Sequence, residues 1–599
     1  MDKEPKKGIC RRTICSVIIA IVVVDCIAVI CVVTFEDDDV RMKIQYDPSG
    51  LTWWKTAIIY QVYPRSFQDS DGDGIGDLKG ITQRLDYLAD LGIGAIWISP
   101  FYPSPMRDFG YDISNYTEVD PIFGTLDDFD TLLKEAKERD LKIIVDFVPN
   151  HTSNESMWFN ESRKGPNNTY SDYYIWRDGV TLSNGSRGPP NNWLSVFGGS
   201  AWKFDESRGQ YYYHAFLESQ ADLNFYNPKV IEELENVIRF WLDRGVSGFR
   251  LDALKFIFET ENTTLNEALL PNQYEWHDDG PHNLTTSFPQ ISDVIRGWRS
   301  VLDEYTAIDH EPKFMAEESY GLTSEIRNSH YKAGAIPFNF ALVSMNSTCG
   351  GKCVRKLIYR GLDTLADDAW PNFQVGNHDN SRVASRVGKE KSGAVTMLLL
   401  TLPGTPTTYY GDEIGMEDVF YTFAETRDPA GLHFGEEGYV GRSRDPERSP
   451  MQWSDGINAG FSNSTPWLHV HNNSNRTNVK MQANDSDSLM NLYRTVAKLR
   501  KYPSFQNRNL DIAVTNDNIV SYVRVARGWT KYLVLINFGS TGSTDDYSKS
   551  PVDSTSGKIV AKTSNFKSSD IQIGHTISLM EVTLRPGQGL VVAVKYQGN

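Results

Sequence analysis

The sequence predicts an α/β chain: a (β/α)8 barrel with an inserted subdomain after its third strand and a C-terminal antiparallel β domain, preceded by one transmembrane helix. Three observations predict it. Short apolar β-type runs alternate with helical periodicity, and that alternation argues for a parallel sheet. Several runs release polar, ionisable residues at their C-terminal ends, as in a barrel whose chemistry is built from strand ends on one face. After Leu499-Arg500 the pattern changes to apolar/polar alternation, the signature of half-buried strands.

The N-terminus comes first. Lys3, Lys6, Lys7, Arg11 and Arg12 precede residues 14–35, an almost wholly apolar stretch long enough to cross a bilayer as helix. Glu36-Asp37-Asp38-Asp39 follows, and this charge order puts a tail, 1–13, in the cytoplasm and the body outside. The expectation is a single-pass type II cell-membrane protein with an extracellular body and a stalk over 36–50. A cleaved signal peptide would have a shorter apolar region ending in a small-x-small site, which Val32-Val33-Thr34-Phe35 lacks. Asp25 within the span costs about 2.5–3.5 kcal/mol on insertion scales and marks a place for a membrane partner.

Barrel strands are expected at 58–62, 95–98, 143–147, 248–251, 314–316, 336–338, 373–375 and 407–410. Between them, Ile81, Leu85 and Leu88 repeat at helix spacing before Gly92, and Thr125 with Asp128 forms a capping box. Val230, Leu234, Val237, Ile238 and Trp241 line one helix face before Gly245. The barrel is assigned to 51–148 and 221–500. The segment 149–220, rich in Asn, Gly, Ser, Tyr and Trp, is too long for a structureless loop and is expected to overhang the pocket as a subdomain. The β domain takes 501–599.

Composition agrees. With 599 residues, 40% hydrophobic and 12% aromatic, the chain can bury a large core in more than one domain. A net charge of −17, with no basic run in the body, excludes a nucleic-acid partner, which needs clustered Lys and Arg. Cys10, Cys15, Cys26 and Cys31 lie in the tail or membrane segment. In the body only Cys349 and Cys353 remain, as Cys-Gly-Gly-Lys-Cys, and a disulfide is expected in an extracellular setting. Glycosylation acceptors are dense (Asn115, Asn154, Asn167, Asn184, Asn262, Asn283, Asn346, Asn463, Asn484), as suits a surface glycoprotein.

The chemistry centres on Gly248-Phe249-Arg250-Leu251-Asp252-Ala253. In a strand Arg250 and Asp252 share a face, and a guanidinium keeps a neighbouring carboxylate ionised. An ionised, positioned carboxylate is what attack on a sugar C1 requires. Alone, Arg-x-Asp is more often a structural ion pair. Its companions are Asp146-Phe147 leading to Asn150-His151, Phe314-Met315-Ala316 leading to Glu317-Glu318, and Asn372-Phe373-Gln374-Val375 leading to Asn377-His378-Asp379.

These strings, with Gln220-Ala221-Asp222-Leu223-Asn224, resemble the sequence regions of the α-amylase superfamily of glycoside hydrolases, closest to its α-glucosidase (maltase/oligo-1,6-glucosidase) branch, from about Trp53 to the C-terminus. The resemblance implies a small carbohydrate substrate and an exo-acting, retaining α-glucosidase of the maltase or sucrase type. Asp252 would be the nucleophile, Glu317 the acid/base and Asp379 the third carboxylate. His151 and His378 would bind glucosyl hydroxyls, Arg250 would orient Asp252, and Asp108 and Tyr111 would floor the pocket, Asp108 paired with Arg444. The branch usually has a small and then an aromatic residue after the acid/base Glu, whereas Glu317 is followed by Glu318-Ser319-Tyr320; register against the strand favours Glu317.

Asp69-Ser70-Asp71-Gly72-Asp73-Gly74-Ile75-Gly76-Asp77 alternates carboxylates with glycines, a pattern suited to a hard, oxygen-loving cation. Gly80 stands where an EF-hand needs Glu, so an EF-hand is excluded. The resemblance implies a structural Ca2+ on Asp69, Asp71, Asp73, Asp77 and the Ile75 carbonyl. A solvated acidic turn is the bland alternative. The chain also resembles the heavy chains of heteromeric amino-acid transporters, which implies a second function class, a catalytically silent membrane partner. At the place where the carrier's heavy chain has its linking Cys this chain has Gly50, and the ionisable strings that such heavy chains erode are intact.

Overall fold

The structure is a computed structural model that describes residues 51–268, 282–318, 320–363, 365–366, 369–566 and 571–594. The expected tail, anchor and stalk lie outside the described residues. Among the described residues no helix is long and apolar enough to cross a membrane.

Eight parallel strands form one barrel-like sheet. They are β1 (Ile59–Val62), β2 (Ala95–Ile98), β3 (Lys142–Phe147), β4 (Gly248–Leu251), β5 (Phe314–Glu317), β6 (Ile336–Pro337), β7 (Asn372–Gln374) and β8 (Thr405–Tyr409). Their hydrogen-bonded order is β6-β5-β4-β3-β2-β1-β8-β7. Every expected strand is present, within two residues of its expected ends. The interior has two characters. Ile59, Ala95, Trp97, Ile144, Phe314, Ala316, Ile336 and Phe338 form an apolar inner cluster. The β7–β8 side carries buried Asn372, Gln374 and Thr407 instead. Gly248 is required where β4 meets β5, because a Cβ there would lie 2.2 Å from the Phe314 carbonyl oxygen.

Helices cover the outer face; Leu126–Glu138 and Pro228–Arg244 turn an apolar stripe inward, whereas Ser392–Thr401 is buried on every side. Helix α1 (Leu126–Glu138) opens on the Thr125–Asp128 capping box. In α2 (Pro228–Arg244) Asn227 caps the start and Gly245, at φ 105°, ends it; Val230, Leu234, Val237, Ile238 and Trp241 are buried as the spacing predicts. Helices α3 (Ile291–Asp309), α4 (Ser324–Ala333), α5 (Gly351–Leu362) and α6 (Ser392–Thr401) follow. The run ending at Gly92 is two helical segments, Leu78–Gln83 and Leu85–Leu91, broken at Arg84.

The insert after β3 builds its own antiparallel sheet from Trp176–Arg177, Gln210–Tyr213 and Trp202–Asp205. Its two ends are zipped together, His151–Ser153 against Gln220–Asp222, with His151 opposite Asp222. That pairing brings His151 and Gln220 to the mouth of the barrel. At the C-terminus, six antiparallel strands run in the order 511–515, 519–524, 531–537, 589–594, 556–562, 576–578. This sheet is tied to the barrel through Arg524 to the Thr401 carbonyl (2.8 Å) and the Tyr522 hydroxyl to Thr401 (2.6 Å). Cys349 and Cys353 form the expected disulfide, with Cα atoms 5.2 Å apart, at the start of α5.

Candidate active site

A cavity of about 470 Å³ opens at the C-terminal ends of the strands, between barrel and insert. Its inner part is polar: Asp108, Tyr111, His151, Gln220, Asp252, Glu318, His378, Asp379 and Arg444. Phe197 and Phe216 from the insert, with Phe256 and Phe434, form an apolar collar further out.

Arg250 organises the centre. It is buried and donates to Asp146 (3.0 Å), to Asp252 Oδ1 and to Glu318 Oε1 (2.9 Å), with its guanidinium carbon 5.0 Å from the centre of the Trp97 ring. Asp252 Oδ1 is therefore held, leaving Oδ2 for the pocket. Glu318 Oε2 accepts from the Ala253 N–H at 3.2 Å. Burial raises the Asp252 carboxyl, opposed first by Arg250. Burial raises Glu318 to about 8, again opposed first by Arg250 and reinforced by Asp252 and Asp379. Asp379, although burial works against it, is held below the ordinary carboxylate range by His378, Arg444 and Arg448. Of the three carboxyls, Glu318 is pushed furthest up, Asp252 rises to about 7, and only Asp379 is lowered.

This placement corrects the sequence expectation at one position. Glu317 does not reach the cavity: its side chain is 0% exposed and bonds His330 on α4 at 2.9 Å, whereas Glu318 is 14% exposed and lines the pocket. The reason is strand parity. Arg250 is in register with Ala316 and Leu251 with Glu317. The inward face of β5 is thus Phe314 and Ala316, and the next inward position, opposite Asp252, is Glu318. The signal was present in the sequence, because Glu318-Ser319-Tyr320 is the Glu-small-aromatic order that Glu317 lacks.

The other expected residues converge. Gln61 Nε2 donates to His378 Nδ1 (2.8 Å), which leaves Nε2–H to face the Tyr111 oxygen (2.6 Å), whose own hydroxyl donates to Asp146 (3.1 Å). Burial pushes His378 down to about 3 and His151 to about 4, so both imidazoles are neutral donors and acceptors. Asp108 bonds Arg444 at 2.7 Å and Gln220 at 3.2 Å, closing the end of the pocket. Arg444 also meets Asp379 (3.3 Å) and Asp428 (2.6 Å). Arg448 holds Asp379 (2.8 Å) and the His378 carbonyl (2.8 Å). The sequence reading gave no role to Asp146, Gln220 or Tyr320. Asp146 sits beneath Arg250, Gln220 touches Asp108 and His151, and the Tyr320 hydroxyl accepts from Asn377 and Asn380. Asn150 donates to Asp222 inside the fold (3.0 Å).

At the acidic loop, carboxylate oxygens of Asp69, Asp71 and Asp77 lie within 4.8 Å of one another. Asp69 accepts from the Gly72 and Gly74 amides (2.6 and 2.9 Å), and Asp77 from Ser70 and Gly80. Asp73 stands outside this group, accepting from the Ile75 N–H at 2.7 Å. Three hard oxygen donors fixed by the backbone fit a divalent cation.

Paired buried carboxyls on neighbouring strand ends, bridged by one guanidinium, match the paired-carboxyl layout of a glycoside hydrolase. The family follows from comparison. Residues 61–507 match the alpha amylase catalytic domain, and the chain belongs to that family. It is 44% identical over 491 residues to an alpha-glucosidase of Apis mellifera, covering 81% of this chain and 85% of that one. It is 39% identical over 510 residues to the human amino acid transporter heavy chain SLC3A1, covering 83% and 72%. Among solved structures, the alpha-glucosyl transfer enzyme XgtA superposes with a TM-score of 0.79 at 32% identity, covering 91% of this chain and 100% of that one.

Proposed function

We propose that the protein is an exo-acting, retaining α-glucosidase that removes terminal α-1,4-linked glucose from maltose-type oligosaccharides or glucose from sucrose. The observation that carries this is the Arg250 guanidinium in contact with both Asp252 and Glu318. In the first step Asp252 Oδ2 attacks C1, the bond from C1 to the leaving oxygen breaks, and that oxygen takes the proton of Glu318. In the second, water attacks C1, gives its proton to Glu318 and frees Asp252, so the anomeric configuration is retained. Asp379, His378, His151 and Tyr111 hold the glucosyl hydroxyls, and the Asp108–Arg444 pair blocks further sugars, which supports exo action. The similarity to the Apis mellifera alpha-glucosidase supports the substrate class.

Asp69, Asp71 and Asp77 would hold a structural Ca2+ that offsets their mutual repulsion, with Asp73 and the Ile75 carbonyl as further ligands on the family resemblance alone. From its sequence, residues 14–35 would anchor the chain with the catalytic body outside. The 39% identity to a transporter heavy chain favours a second reading, a membrane-partner subunit; the complete carboxylate set weighs for the enzyme. Incubating the protein with maltose, sucrose and isomaltose, with NMR of the first-formed anomer, tests the proposal: α-glucose is expected. Inverted product, or no glucose released, overturns it.

A further inference from the structure

The turn that carries His378 and Asp379 is held at both ends by a side chain the proposed chemistry does not use. Arg386 lies in the helical turn Val383–Val387. Its Nε donates to the Ser381 carbonyl (2.8 Å), Nη2 to the Val375 carbonyl, and Nη1 to the carbonyls of Met345 (2.8 Å) and Val343. Val375 immediately precedes, and Ser381 immediately follows, the segment Gly376-Asn377-His378-Asp379-Asn380. One planar fork therefore bridges the two ends of the turn and ties them to the 341–345 segment.

Every acceptor is a neutral carbonyl, and among the described residues Arg386 forms no ion pair within 4.0 Å. A guanidinium placed for charge alone would meet a carboxylate; this one is placed for geometry. Asp412 and Asp418 supply the first opposing charges at longer range. Asp412 is buried with both oxygens unmatched by any donor. Arg448 grips the same turn at the His378 carbonyl and Asp379. Of the two guanidiniums that hold the turn's backbone, Arg448 touches Asp379 and Arg386 does not.

We propose that Arg386 is a positioning residue, which fixes both ends of the 376–380 turn and so sets His378 and Asp379 against the sugar hydroxyls while touching neither. The inference rests on the glucosidase reading for its effect on turnover. Lysine cannot reproduce it, because an ammonium has no rigid fork to span several carbonyls. A misplacement of about 1 Å costs on the order of 10²-fold in rate.

The full-length protein and its Arg386→Lys and Arg386→Ala variants test this by three readouts. In both variants kcat/KM for maltose should fall about 10–100-fold, with a larger change in kcat than in melting temperature explains. Amide hydrogen exchange over 376–380 should quicken in both. Millimolar guanidinium should restore activity to Arg386→Ala at least severalfold and leave the unaltered protein unchanged. An alanine variant within twofold of the unaltered protein, unchanged exchange over the turn, or a loss that follows the unfolded fraction without guanidinium rescue would overturn it. If the unaltered protein releases no glucose, the glucosidase reading fails, and hydrogen exchange still decides the role of Arg386.

Discussion

Glu317 and Glu318 are adjacent in sequence and occupy opposite worlds. Glu317 points out of the barrel, fully buried against His330 on α4; Glu318 points in, beside Arg250 and Asp252. Burial raises both carboxyls. What separates them is the partner. His330 and Glu317 form a closed pair with no access to a ligand, so that carboxyl serves only packing. Glu318 shares its guanidinium with Asp252 and faces the cavity, so its proton can leave. A raised carboxyl marks a functional site only where geometry lets a substrate reach it.

The largest expected effect breaks this comparison directly. Glu318→Gln should lower kcat by about 10²–10⁴-fold on maltose, the ordinary contribution of a general acid, with the fold intact. Activity should also fall as pH rises through about 8, because Glu318 ionises there and can no longer protonate the leaving oxygen. Steady-state kinetics from pH 5 to 10 check both. Normal turnover in Glu318→Gln would return the acid/base role to Glu317.

Calcium comes next. If Ca2+ fills the Asp69–Asp77 loop, a concentration of 100 times its Kd stabilises the native state by about 2.7 kcal/mol. Chelation should lower the melting temperature, and Ca2+ but not Zn2+ should restore it. Melting indifferent to chelator leaves only a solvated acidic turn.

Glu317→Gln sharpens the comparison from the other side. It removes a charge from a buried hydrogen-bonded pair, which should cost about 1–3 kcal/mol of stability, seen as a lower denaturation midpoint. Per folded molecule, kcat should stay within severalfold of the unaltered protein and keep its fall near pH 8.

The register error at this pair shows what sequence alone can place. Each apolar run sat where a strand formed, and the faces of α1 and α2 followed from 3.6-residue periodicity, because burial on one face is a local, repeating constraint. Which of two consecutive residues faces inward is not local. It depends on the register of β5 against β4, Arg250 beside Ala316, and a slip of one residue exchanges the faces. Arg250 and Asp252 were legible because both lie on one strand. The contacts of Gln220 with Asp108 and His151, and of Arg448 with Asp379, join residues from 69 to 112 positions apart, and no periodicity announces them.

The smallest effect concerns Ala253, which lines the pocket next to Asp252, the proposed nucleophile, and whose N–H binds Glu318. In the α-glucosidase branch that this chain resembles, enzymes favouring α-1,6 links tend to have Val here. A methyl leaves more room than an isopropyl for the leaving sugar of maltose or sucrose, and one or two methylenes change discrimination by about 1–3 kcal/mol. Maltose or sucrose should therefore be preferred over isomaltose, and Ala253→Val should move the ratio toward isomaltose. The backbone adds a second consequence. Ala253 has φ 50° and ψ 25°, a left-handed conformation that a β-branched residue adopts only under strain. Ala253→Val should then lose stability as well, so total activity is the wrong measurement. The ratio of kcat/KM for maltose and isomaltose cancels the fraction folded and isolates the pocket. Ala253→Gly relieves the backbone and removes the methyl, and should push the ratio the other way, toward maltose. Equal hydrolysis of both sugars by the unaltered protein, or a ratio unmoved in both variants, would show that the wall at Ala253 does not set linkage preference.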